Sequence, residues 1–210
     1  MLRIVFFKTL VFLFFFSCSK NKEHLPYFNS PDFNPIFLKK ESEIEKKITH
    51  KISNFNLTSD KKNIINTGFL KGKIHVANFM FTRCGGICPR ITNNLKKLEK
   101  FKNTSNFLIL SFSVTPWIDS IKQLKSYIET YDIKMKNWHF ITGKRNVIYN
   151  LARQSYFAEE EIGFTKDSTE FLHTEHVLLV DQNLRIRGVY NGTLPLEINN
   201  LSKDIETLLN

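Results

Sequence analysis

From about residue 50 onward the chain alternates between short apolar runs and stretches in which every third or fourth position is apolar. The first kind of pattern predicts strands and the second helices. "KISNFNLTS" (51–59) reads as a strand and "DKKN" as a turn, and "KIHVANFMF" (73–81) is apolar enough for a strand buried on both faces. Pro89 suits the first turn of a helix, where its missing N–H needs no partner, and Ile91, Leu95 and Leu98 follow at helical spacing. "NFLILSFSV" (106–114) is another apolar strand. "TPWIDSIKQLKSYIETY" (115–131) predicts a helix with Ile121, Leu124, Ile128 and Tyr131 on one side. A short strand (138–143) and a helix in "NVIYNLARQSY" (146–156) come next. Runs 176–181 and 185–190, joined by a polar turn, read as a hairpin. The last helix turns Ile198, Leu201, Ile205 and Leu208 inward.

Strands alternating with helices imply an α/β layered sheet. The order strand, helix, strand, helix, hairpin and closing helix is that of a thioredoxin-like fold with added N-terminal strands and a β-hairpin insertion. Residues 51–210 are enough for one domain with a sizeable core, and no internal repeat interrupts them.

Ahead of that domain the pattern changes twice. Residues 18–50 are polar, punctuated by proline and without sustained periodicity, which predicts a tether; His24 and His50, in that region, are expected to be solvated. "MLRIVFFKTLVFLFFFSCSK" has a short cationic start, an apolar run and then polar residues, the layout of an export signal over 1–17. The apolar run is shorter than the ~20 residues of a membrane-spanning helix. "FFSC" resembles the lipobox of bacterial lipoproteins, which implies lipidation at Cys18. The expectation is a membrane-anchored lipoprotein of the bacterial cell envelope, its domain facing the periplasm.

Export removes Cys18 from the thiol inventory and leaves two cysteines, both in "FTRCGGICPR" (81–90). Outside the cytoplasm such a pair is at risk of oxidation, so it must be kept reduced or must use its oxidation. A structural disulfide closing so short a loop removes little chain entropy. Cys84 and Cys88 stand four apart at a strand-to-helix junction, where i and i+4 share a face. The helix N-terminus is expected to stabilise a thiolate at Cys88, and Arg83 to add positive charge beside Cys84. The spacing is one residue wider than the C-x-x-C of redox motifs, and Gly85 and Gly86 make the loop pliable. Structural zinc wants four Cys or His ligands, whereas two thiolates and one imidazole suit copper. The net charge of +10 comes from lysines spread through the chain without a nucleic-acid motif, which points to anionic lipid or acidic protein surfaces and no nucleic acid.

Of the six histidines, His75 and His139 lie in apolar strands and read as structural; His173 and His176, in "EFLHTEHVLLVD", precede the hairpin, where a loop can overlie the sheet end that carries the cysteines. "NFMFTRCGGICP" resembles the C-x-x-x-C-P motif of the Sco/SenC family, "SFSVTPWIDS" its S-V-D-P segment and following Asp, and "FLHTEHVLLVDQNLRIRGVYNG" its distal histidine segment and hairpin. The resemblance spans roughly residues 50–209. It implies a copper-binding protein that assists assembly of the copper site of cytochrome c oxidase, with Cys84, Cys88 and His173 as ligands of one copper. His176, which on a strand shares a face with Leu178 and Val180, is the competitor for the histidine position and is expected to be packed.

Two departures from the family pattern stand out: Gly85 replaces a common Pro, and Thr115 replaces the common Asp before Pro116. Asp119 is expected to cap the helix that begins near Ser120. Trp117 and Trp138 read as packing aromatics, with a docking surface as the alternative for either. The leading expectation is a copper metallochaperone, Cu(I) and/or Cu(II), whose partners are the oxidase copper-site subunit and a thiol reductant. The alternative is a membrane-anchored thiol-disulfide oxidoreductase acting on the cysteines of that site, with Cys84 attacking and Cys88 resolving.

Overall fold

The computed structural model describes residues 24–38, 40–158 and 174–210. Their centre is a run of seven residues, β5 (Ile74–Met80), in which every position is buried. Its neighbours are β6 (Phe107–Ser113), parallel to it, and β8 (His176–Val180), antiparallel. β7 (Trp138–Thr142) extends the sheet beside β6, and β9 (Ile186–Asn191) closes the hairpin with β8. Beyond β7 lie β3 (Asn56–Ser59) and β4 (Ile64–Asn66), and beyond β9 lie β1 (Tyr27–Phe28) and β2 (Pro35–Ile36). Among the described residues the order is β2-β1-β9-β8-β5-β6-β7-β3-β4. The fold is the expected α/β, thioredoxin-like one with added N-terminal strands and a hairpin.

A sheet buried on both faces needs apolar layers above and below. On one face α3 (Ile87–Leu95), α4 (Ile121–Thr130) and α6 (Pro195–Leu209) bring Ile91, Leu95, Leu124, Ile198, Leu201 and Ile205 onto Val76, Ile109 and Leu179. On the other, α5 (Arg145–Asn150), its π-helical continuation Leu151–Ser155 and the short α2 (Thr67–Leu70) cover Phe79, Leu110, Phe112 and Leu178. Each fully buried Leu, Ile, Val or Phe contributes about 1.5–3 kcal/mol relative to exposure. Phe79 stacks on Phe112 at 5.3 Å between ring centroids, and Tyr156 closes on both rings.

Several expectations change. The stretch expected as a tether is folded from residue 24 onward, apart from the undescribed residue 39: β1 pairs with β9, and Ile48, just after α1 (Ile44–Lys47), is fully buried. The clamp is Arg187, whose Nε and Nη2 donate to the carbonyls of Pro26 and Leu25 at 3.0 and 2.7 Å while its guanidinium lies 3.8 Å over the Tyr27 ring. His50 is half-buried rather than solvated, with Nε2 2.8 Å from the Ser155 carbonyl and its ring 4.2 Å from that of Phe157. His24 is exposed, as expected. The strand expected over 51–59 is regular only from Asn56, because Ile52 donates its N–H to Leu184 across the end of the hairpin. The helix expected from 115 begins at Ile121, because a turn closed by Thr115 fills the interval. No helix among the described residues is long and apolar enough to cross a membrane.

Candidate metal and thiol site

β5 and β6 run in parallel, so the loops that leave Met80 and Ser113 emerge at the same end of the sheet. The first loop carries the thiols. Phe81 accepts a hydrogen bond from the N–H of Cys84 at 3.2 Å, a turn that stops the strand, and Gly86 precedes the first residue of α3. Cys88 and Pro89 are therefore the second and third residues of the helix, as the proline predicts. Both thiols are free.

The two sulfurs differ sharply. Cys84 stands half-buried in front of the helix, and the N–H of Cys88 points to its Sγ at 3.5 Å. Burial raises its pKa, but hydrogen bonds from Cys88 and from the backbone of Gly86 and Ile87 outweigh that and hold the thiol below its ordinary range. Cys88 is buried in the core cluster that also holds Ile91 and Val177. Burial pushes its pKa up to about 12, a hydrogen bond from the Phe81 backbone opposes this in part, and the neighbouring Cys84 adds to it. The expectation of a thiolate favoured at Cys88 is thus reversed. A group in front of the first turn meets the free amides, whereas a side chain within that turn is directed at the sheet. Arg83 is exposed, and the amides rather than its charge lower Cys84.

Neither glycine of the loop is there for space, since a Cβ on Gly85 or Gly86 would meet nothing within 4 Å, and neither has a positive φ. Their effect is on chain freedom. What fixes the loop lies beneath it. Asp119, fully buried, accepts from the N–H and Oγ of Thr82 at 3.2 and 2.5 Å, from Ser113 Oγ at 2.6 Å and from Thr115 Oγ at 3.0 Å. This replaces the expected capping role: Ser120 caps α4, its Oγ accepting from Gln123 N–H at 3.3 Å. A run of S-x-T-x-x-x-D at a strand end was the sequence signal for such a knot. Thr115, the departure from the family's Asp, is one of its donors.

His173 and Cys18 lie outside the described residues. Among the described residues no cluster of three His, Cys, Asp or Glu side chains is arranged to hold a metal. His176, the competitor, opens β8 half-buried and meets Phe33 edge-on at 5.6 Å between ring centroids, which agrees with packing. His75 and His139 are buried. His75 donates to or accepts from Tyr156 Oη at 2.9 Å, and burial lowers its pKa to about 3. Trp138 is buried, its Nε1–H donating to Ser111 Oγ at 2.9 Å, whereas Trp117 is exposed.

Residues 44–210 match the sequence profile of SCO1/SenC. The chain belongs to the SCO1/SenC family. Among solved structures it is similar to a SCO1/SenC family lipoprotein of Bacillus anthracis strain Ames, at 27% identity and a TM-score of 0.66, over 77% of this chain and 96% of that one. It is also similar to BsSco, a member of the Sco family of cytochrome c oxidase assembly proteins in which a disulfide switch was identified; identity is 27% and TM-score 0.63, over 76% and 93% of the two chains. Bradyrhizobium japonicum ScoI, solved with copper bound, shares the fold at 22% identity and a TM-score of 0.56, over 74% of this chain and 98% of its own. The SCO1/SenC match begins at residue 44, so β1 and β2 lie ahead of the matched region.

Proposed function

We propose that this SCO1/SenC protein takes up one copper ion through Cys84, Cys88 and His173 and delivers it to the copper-site subunit of a respiratory cytochrome c oxidase. Copper here is cargo. The observation that carries the proposal is the pair of free thiols at the entrance of α3, in a family whose members include a cytochrome c oxidase assembly protein and a copper-bound relative. Two soft thiolates and an imidazole are a donor set for copper, and Cu(I) in particular accepts three ligands of this kind. Cys84 is already inclined to ionise; the buried Cys88 would give up its proton on metal binding. Residues 1–17 act as the signal and Cys18 carries the lipid, which places the domain at the membrane surface of the cell envelope. Likeness to a family lipoprotein supports that anchor.

Titration of the reduced protein with Cu(I) and Cu(II), followed by absorption and competition with a chelator, tests this reading. One copper per chain is expected, with affinity reduced at least tenfold in His173→Ala and little changed in His176→Ala. Loss in His176→Ala with His173→Ala intact would transfer the ligand role to His176.

A second reading has its own support in the unequal thiols. In a thiol-disulfide reductase the half-exposed Cys84 thiolate attacks the partner's disulfide and forms a mixed disulfide. Cys88, after losing its proton, then displaces the partner, which leaves as a dithiol while Cys84 and Cys88 are oxidised to a disulfide. Rapid reduction of the oxidase copper-site disulfide with no effect of His173→Ala on copper affinity would favour this reading.

A further inference from the structure

The thiol loop is flanked by large apolar side chains that stay exposed. β5 and β6 are parallel, and β8 is antiparallel to both β5 and β9, so the chain leaves β5, β6 and β9 at one end of the sheet. From β6 comes Trp117, 56% exposed, its indole under the Arg145 guanidinium at 4.9 Å. From β9 come Leu194 and Leu196, 49% and 69% exposed. Both neighbours are fastened to the thiol loop and its helix: Asp119 binds Thr82, and Asn94 of α3 donates to the Gly192 carbonyl at 2.9 Å. A Cβ on Gly192 would stand 2.6 Å from Val177 and 3.1 Å from Ile91, so that connection is pressed against α3. Three of the five large hydrophobic side chains exposed among the described residues thus stand at the sheet end that carries Cys84.

Charge at this end is mostly of one sign. Arg83, Arg90 and Lys144 are exposed on the loops and helix starts around the thiols. Against them, among the described residues, stand the half-buried Glu175, which accepts from Asn191 at 3.3 Å, and Glu197. Exposed Trp and Leu ringed by arginine is the composition of a protein-docking surface, and positive charge selects and steers a negative partner.

We propose that Trp117, Leu194 and Leu196 form the docking surface through which the thiol loop meets its recipient, and that the recipient presents an apolar patch with an acidic rim around its own copper site. This rests on the function proposed above, because that function supplies the recipient.

The probe is the soluble copper-site domain of the organism's oxidase subunit, titrated against the detergent-solubilised full-length protein by calorimetry, with the copper affinity of every variant measured in parallel. Trp117→Ala is expected to weaken docking at least tenfold and Leu196→Ser severalfold, with copper affinity unchanged in both. Arg83→Glu with Arg90→Glu should weaken docking and flatten its salt dependence. Ile64→Ser is the control: Ile64 is 57% exposed on the edge strand β4, and its loss should change nothing. The proposal is overturned if Trp117→Ala and Leu196→Ser dock like wild type, if Ile64→Ser weakens docking as much, or if the wild-type protein does not dock at all. Docking that needs Trp117 in a protein that takes up no copper would instead sink the copper function and keep the surface.

Discussion

Two buried aspartates, one at each end of the sheet, do related jobs by different physics. Asp181 closes the β8–β9 turn, accepting from the N–H groups of Asn183 and Arg185 at 2.9 and 3.0 Å, and pairs with Arg187 at 3.2 Å. Asp119 lies under the thiol loop and is held by three hydroxyls and one amide, with no cation reaching it among the described residues. At the Asp181 end a neutralised pair locks β1 and β2 to the sheet through Arg187. At the thiol end the donors are uncharged, so the loop is placed without a fixed cation beneath it. The clamp is thus a directional ion pair, and the support of the thiol loop is a set of neutral donors around one carboxylate.

That contrast can be broken at its stronger end first. Arg187→Ala removes the partner of a buried carboxylate, three backbone or side-chain hydrogen bonds and the contact with Tyr27. The expected loss is about 3–5 kcal/mol in denaturant unfolding, with amide exchange rising first in residues 24–36. An unchanged midpoint would mean that the N-terminal strands are not part of the cooperative unit.

Asp119→Ala comes next. It leaves the buried hydroxyls of Ser113 and Thr115 and the half-buried donors of Thr82 without their acceptor, at about 1–3 kcal/mol. In contrast to Arg187→Ala, it should also lower copper affinity, because Thr82 is two residues from Cys84. Equal copper affinity in both variants would erase the distinction between the two ends.

Acid should act on the Asp181 end through a buried histidine. His75 belongs to the same end as Asp181, paired in register with Val180, and its folded pKa of about 3 lies well below the 6.5 of the free side chain. Between those values the unfolded chain binds the extra proton, so stability is full above pH 6.5 and falls as pH drops toward 3. At pH 5 the loss from His75 is about 2 kcal/mol. His75→Gln should flatten the dependence of unfolding free energy on pH between 6.5 and 5, and an unchanged slope would remove His75 as its cause.

Much of this architecture is legible in the order of residues. The mostly apolar runs at 74–80 and 107–113 read as central strands, because side chains on both faces need cover. Ile198, Leu201 and Ile205 lie at helical spacing and are buried on the face that spacing selects. Strands β1 and β2, in the stretch that reads as a tether, escaped notice because two-residue strands have no period to read. They are held by Arg187, roughly 160 positions away. Asp119 was misread for a similar reason: beside Ser120 it looks like a helix cap, and only the parallel pairing of β5 and β6 brings Thr82 to it.

The sequence alone determined the α/β order, the family, the pair of thiols and their place at a helix start, since these rest on local spacing and on motifs within a few residues. The tertiary structure decided which thiol ionises first, because only depth from solvent and the aim of the helix amides separate Cys84 from Cys88. It also decided that Trp138 is core while Trp117 faces outward. Burial and long-range hydrogen bonding depend on what the rest of the chain brings alongside, and no window of neighbouring residues contains that information.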